Sequence, residues 1–107
     1  MESGITDALL LLDREKKVRY VGRAMEDLIA MRLQYAEGQN ISDACRDPSF
    51  AGTVIEMSDR VLQSLGDNQQ STLDINGLSR DLIALALKNS QQEIRFILIV
   101  VKLGGKA

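Results

Sequence analysis

The sequence has no histidine and no tryptophan, a single cysteine, a single proline, and only two tyrosines and two phenylalanines among 107 residues. Without histidine there is no His-ligated haem, no His-based zinc site and no Ser–His or Cys–His nucleophile pair. With Cys45 alone, an intramolecular disulfide and a thiolate metal cluster are both excluded. A reducing, cytoplasmic setting is the natural reading. Charge of one sign never accumulates, since 13 basic residues are interspersed with 15 acidic ones. The clustered basic face that nucleic-acid binding needs for counterion release is therefore missing. No apolar run approaches the roughly 20 residues that span a bilayer, and the longest, Phe96 to Val101, is of strand length. Met1-Glu2-Ser3-Gly4 lacks the basic start of a signal peptide. The expected location is cytoplasmic, as a free protein or as the cytoplasmic part of a membrane-bound sensor, with no direct membrane insertion.

What is present reads as one domain over residues 1–107, with a core of about 5–102, a length that buries enough apolar surface to fold without staples. Ala8 to Gly22 joins an apolar run to a charged turn, Asp13 to Lys17, and then to Val18-Arg19-Tyr20-Val21, the pattern of an antiparallel hairpin. The turn itself reads as solvated. The spacing of Met25, Leu28, Ile29 and Arg32 predicts a helix over Arg23 to Leu33, ended by Glu37-Gly38-Gln39-Asn40, with Gly38 suited to a left-handed C-terminal position. A short helical turn follows at Ile41 to Cys45. Asp47 as N-cap and Pro48 at the first position begin a longer helix, whose stripe is Phe50, Val54, Met57, Val61 and Leu65. Gly66-Asp67-Asn68 stops it. Strands are predicted at Ser71–Ile75, Leu82–Leu87 and Ile94–Val101, with turns at Asn76-Gly77 and Asn89 to Gln92.

The first and last strands are apolar on both faces. Ile94, Phe96, Leu98 and Val100 point one way and Ile97, Ile99 and Val101 the other, while Ala8, Leu10 and Leu12 oppose Leu9 and Leu11. A sheet with one wet face alternates polar and apolar residues instead. The internal helices can cover one face; the other needs another chain or a flanking helix outside this sequence. Leu10, Leu12, Phe96, Leu98 and Val100 are the candidates for a homodimer interface.

Two strands, a helical middle and three antiparallel strands is the order of the PAS sensory fold. Leu9 to Val21 resembles the opening hairpin of PAS domains, an apolar strand, an Asp-led charged turn and a short strand ending in aromatic-Val. Gly38-Gln39-Asn40-Ile41 is similar to the Gly-x-x-hydrophobic step after the first helix of that family. Arg46-Asp47-Pro48-Ser49-Phe50 is similar to the lead-in to the long helix in PAS domains of phosphate- or nitrogen-responsive bacterial sensor histidine kinases. One departure is Gly22, where PAS domains often carry Asn. The resemblance implies an α+β, PAS-like fold, a five-stranded antiparallel sheet with helices inserted between strands 2 and 3. It also implies a ligand pocket, with Met25, Leu28, Ile29, Ile41, Cys45, Val54, Ile55, Ala84 and Ala86 as candidate lining residues.

Within that family the absences narrow the chemistry further. Haem-binding members use an axial histidine. Flavin photoreceptors place a reactive Cys directly after Gly-x-Asn, whereas Gly38-Gln39-Asn40 is followed here by Ile41 and Cys45 lies further on. The aromatic-rich site of chromophore-thioester photoreceptors is missing too, so no cofactor is expected. Cys45 reads as a buried hydrophobe before a redox thiol made reactive by Arg46. Met25, Met31 and Met57 read as core filler, and Arg80 with Asp81 as a solvated charge pair beginning a strand. Ala84 and Ala86 leave room on a central strand for a ligand or for closely packed helices. Three functions compete. The first is a non-catalytic PAS sensory and dimerisation module of a bacterial two-component signalling protein of the sensor histidine kinase kind, with a downstream output domain (kinase or regulator) and a small-molecule ligand as partners. The second is a roadblock- or profilin-like homodimerisation domain without ligand, which predicts a long helix packed before or after the sheet and no interior cavity. The third, a small enzyme, needs convergent titratable groups, and Asp13 with Glu15 sits on a turn.

Overall fold

A computed structural model describes residues 7–103; residues 5 and 6 of the expected core lie outside the described residues. The chain runs β1 (Ala8–Asp13), β2 (Val18–Val21), α1 (Arg23–Ile29), α2 (Leu33–Ala36), α3 (Ile41–Ala44), α4 (Pro48–Gln63), β3 (Gln69–Ile75), β4 (Leu78–Lys88) and β5 (Ile94–Val101). The strands form one five-stranded antiparallel sheet in the order β2-β1-β5-β4-β3, with the helices between strands 2 and 3 as expected. The two strands that are apolar on both faces, β1 and β5, lie side by side inside the sheet. Their register sets Leu10 opposite Ile99 and Leu12 opposite Ile97 on one face, and Leu9 opposite Val100 and Leu11 opposite Leu98 on the other. The first face meets Phe50, Val54, Met57 and Val61 of α4 and Met25 of α1 in the single buried core.

The strand at Ile94 does not alternate as expected. Pairing with β4 shifts register, so that Ile94 faces Lys88 and Phe96 faces Leu87, with Arg95 left over as a bulge. Ile94 is thereby turned into the core, away from the face of Phe96, Leu98 and Val100. A second shift between Leu11 and Leu12 leaves Arg19 of β2 without a partner in β1.

Two helical expectations also change. The segment Arg23 to Leu33 is not one helix, because Ala30 takes a left-handed conformation (φ 54°) after Ile29. The Glu26 carboxylate then accepts the N–H of Leu33 at 2.9 Å and so caps the start of α2. Gly38 is left-handed (φ 86°) just past the Glu37 C-cap of α2, as expected, and it also docks the hairpin, its N–H donating to Val18 O at 2.8 Å. In α4, Asp47 caps as expected, Oδ1 accepting from Ser49 N at 3.0 Å and Phe50 N at 3.2 Å. The stripe stops at Val61, however, because Leu65 lies beyond the helix end in a left-handed conformation (φ 61°) and is 79% exposed. The N–H of Gly66 reaches back to Val61 O and that of Leu65 to Leu62 O, the Schellman arrangement in which the left-handed position favours glycine.

The charged turn is not merely solvated. Asp13 Oδ1 accepts from the N–H groups of Glu15 (2.8 Å) and Lys17 (3.0 Å), while Oδ2 takes the Arg19 guanidinium at 2.8 Å. The bulged Arg19 thus closes the hairpin across its own turn. The turn in turn is bound to the loop before α3, through Val18 N to Gln39 O and Ile41 N to Lys16 O, and to α4 through a 2.8 Å ion pair of Lys16 with Asp59.

Desolvation works to raise the Asp13 pKa, but hydrogen bonds from the Lys17 N–H, the Arg19 side chain and the Glu15 N–H outweigh it and hold the carboxyl below its ordinary value. A depressed carboxylate stabilises the fold in full above the unfolded pKa of about 4, and that contribution is lost as pH falls through the lower folded value. Asp13→Ala is expected to cost about 2 kcal/mol at neutral pH, and the deficit should shrink in urea unfolding below pH 4; an equal deficit at both pH values would refute the assignment. Leu65→Gly is expected to raise stability by about 0.5–1 kcal/mol, since relief of the left-handed strain exceeds the added freedom of the unfolded chain. A thermal midpoint lower than that of the parent would show that Leu65 has a packing role instead.

Candidate functional site

A ligand pocket was expected in the interior. Met25, Ile29, Ile41, Cys45, Val54 and Ala84 are all brought together in the buried core, and Leu28, Ile55 and Ala86 pack against it. Of these, only Leu28 lines one of the best-formed clefts among the described residues. The small side chains of β4 are matched by close packing. A Cβ built on Gly66, just past α4, would stand 3.6 Å from the Ala86 Cβ. Burial pushes the Cys45 thiol up, and the Asp47 carboxylate adds to the rise; Sγ–H donates to the Asp47 carbonyl at 3.6 Å. A raised pKa is the opposite of what a reactive redox thiol needs. Ser58 is the exception in this apolar interior, fully buried with its Oγ unpartnered.

The opposite face of the sheet is built differently. Leu9 and Leu11 of β1, Phe96, Leu98 and Val100 of β5, and Ile83, Leu85 and Leu87 of β4 share it by register, with Tyr20 of β2 beside Leu11. All of them are half-buried or exposed. Two expected interface residues are corrected here. Leu10 and Leu12 are 0% exposed, because antiparallel pairing places them on the helix side with Ile99 and Ile97. Phe96, Leu98 and Val100 do lie on the outer face. Ile83 and Leu85 were missed, although their two-residue spacing from Leu87 was the available signal. Toward β3 the face turns polar with Gln70, Thr72, Asp74 and Asp81, Thr72 Oγ1 lying 3.3 Å from Asp81 Oδ1. The apolar area is thus continuous and bounded, the kind of surface that marks an interaction site.

A cleft of about 620 Å³ lies at the other side, between α1 and the β3–β4 turn, lined by Arg23, Ala24, Asp27, Leu28, Asn76, Arg80 and Leu103. Asn76 (φ 55°) and Gly77 (φ 83°) form a tight hairpin turn, and Asn76 Nδ2 donates to Leu28 O at 3.0 Å, tying that turn to α1. Arg80 and Asp81 are not a solvated pair. As strand neighbours they point to opposite faces, Arg80 into this cleft and Asp81 to the outer face.

This chain is similar in fold to solved PAS domains. The sensory box sensor histidine kinase of Vibrio cholerae superposes with a TM-score of 0.76 at 14% identity, over 92% of this chain and 81% of that one. The PAS domain of histidine kinase ThkA gives 0.76 at 11% identity, over 91% and 99%. The PAS domain of the RpfR quorum-sensing receptor from Cronobacter turicensis, in complex with BDSF, gives 0.63 at 14% identity, over 97% and 100%. No protein-family model matches the sequence, and no curated protein matches it. The chain has the PAS fold. A roadblock- or profilin-like domain was expected to carry a long helix before or after the sheet, whereas every described helix lies between β2 and β3. No described helix is long and apolar enough to cross a membrane.

Ser58→Ala is expected to stabilise the fold by about 1 kcal/mol, because it removes a dry hydroxyl that has no partner. A loss of stability on the same change, read by chemical denaturation, would mean that the hydroxyl is satisfied in solution by something inside the core.

Proposed function

We propose that this chain is a non-catalytic PAS sensory and dimerisation module of a bacterial signal-transduction protein, paired with a second copy through the outer face of its sheet. In this reading it works in the cytoplasm, and a change at the pairing surface is relayed to an attached output domain, as in a sensor histidine kinase. One observation carries it: Leu9, Leu11, Ile83, Leu85, Phe96, Leu98 and Val100 form a continuous apolar surface on the three inner strands, β1, β5 and β4. Burying such a surface is favourable at about 25 cal/mol per Å², and a self-complementary patch needs only a two-fold axis to close. The similar folds support the signalling context, since they include a sensor histidine kinase and a quorum-sensing receptor. No catalytic step and no cofactor are part of this reading.

The test is sedimentation over a concentration series. The parent is expected to be dimeric, and Leu98→Lys to weaken dimerisation by at least about a hundredfold, since two symmetry-related ammonium groups would be buried. Leu98 lies outside the helix-side core, so the thermal midpoint of the isolated variant protomer should stay close to that of the parent protomer at concentrations where both are monomeric. A parent that remains monomeric at high concentration would overturn the proposal.

A further inference from the structure

The cleft between α1 and the β3–β4 turn is not used by the pairing reading, and it holds a charge that the protein leaves poorly compensated. Arg80 projects from the start of β4 toward the helices, where its Nε is shut away from water and has no hydrogen-bond partner. Its only hydrogen bond among the described residues is a long one, 3.5 Å from Nη1 to the carbonyl oxygen of Leu103. Neither Arg80 nor Arg23 forms an ion pair among the described residues. A guanidinium carries five donors and no acceptor, and a buried charged donor left unmade is costly. The rest of the lining is Ala24, Leu28 and Leu103, which are apolar, together with Asn76 and Asp27.

We infer that this cleft binds a small organic carboxylate with a short apolar body. Turning the Arg80 guanidinium into the cleft lets one carboxylate accept from Nε–H and an Nη–H side by side, the geometry in which arginine binds carboxylates best. Arg23 supplies the second positive charge, and with Asp27 opposing it the site carries a net charge near that of one cation, which suits a monoanion better than a dianion. Leu28 and Leu103 receive the apolar body. Both walls are held in place: the Asn76–Leu28 bond fixes the turn against α1, and the Leu103 N–H is held at 3.2 Å by Asp7 Oδ1. Because Arg80 also holds the Leu103 carbonyl, occupancy draws it away from the segment that leaves β5. The site is on the helix side of the sheet, so it stands or falls independently of pairing through the outer face.

The experiment is an NMR titration of the full 107-residue chain with hexanoate, acetate and inorganic phosphate, following the Arg80 Nε–Hε signal and the backbone amides of Leu28, Asn76 and Leu103. Saturable shifts are expected with hexanoate, at least about tenfold tighter than with acetate or phosphate, a difference of about 1.4 kcal/mol. Arg80→Gln should abolish the shifts. Arg23→Gln, an exposed change that leaves the fold intact, should weaken hexanoate binding by about tenfold. No saturable shift with any probe would overturn the site, as would undiminished binding in Arg23→Gln. Equal binding of phosphate and hexanoate would overturn the assignment to a carboxylate with an apolar body.

Discussion

The pairing of β1 with β5 is the constraint on which the rest of the molecule depends. Both strands are apolar at nearly every position, so periodicity alone does not say which residues turn inward. The register decides it, and a one-residue slip would exchange the two faces. With Leu10 set opposite Ile99 and Leu12 opposite Ile97, the bulkiest fully buried side chains of the two strands meet Phe50, Val54 and Met57. The same register commits Leu9, Leu11, Leu98 and Val100 to the outer face. Core and candidate interface are two consequences of one alignment.

That alignment is protected at its open end by Asp13. The residue sits where β1 stops, opposite Phe96 of β5, and its carboxylate fixes the turn, the bulged Arg19 and so the position of β2. Lys16 and Lys17 then connect the turn to α4 and to the loop before α3. The helices are thereby referred to the sheet by backbone hydrogen bonds as well as by apolar packing. Hydrogen bonds are directional where hydrophobic burial is not, which is why so short a turn can set the angle at which the helical layer meets β1 and β2.

Element order and most boundaries were legible because they rest on local signals: Asp47-Pro48 at the start of α4, Asn76-Gly77 between β3 and β4, and the apolar run of β5. The features that were not legible depend on distant partners. Ala30 ends the first helix, and Glu26 caps the next one by an interaction across the break. The bulge at Arg95 reverses Ile94, and nothing in the alternation of that strand announces it. Leu10 and Leu12 were assigned to the wrong face for the same reason, since two apolar faces carry no parity signal until a partner strand supplies one. The outer-face residues of β5 were readable, and those of β4 have the same spacing, which became informative once the pairing was known. Arg80 was read as a solvated charge because a strand start is usually exposed; α1 and the β3–β4 turn close over it through contacts between residues far apart in sequence.

The two surfaces that remain differ in what they can transmit. The outer face is apolar and extended, so it can report on association but offers little discrimination among small molecules. The Arg80 cleft mixes charged groups, Arg80, Arg23 and Asp27, with the apolar Ala24, Leu28 and Leu103, and it touches the segment that leaves β5 through Leu103. The strand between them is continuous. Val101, which ends β5, pairs with both Leu82 and Ala8, and Lys102 N donates to Asp81 O at 2.9 Å just beyond it. A shift of Leu103 is therefore resisted by the sheet at the neighbouring residue, and it acts on the segment leaving β5 more readily than on the apolar face. Of the two surfaces, the cleft is the better placed to act on that exit segment, and the outer face is the better placed to keep two copies in register.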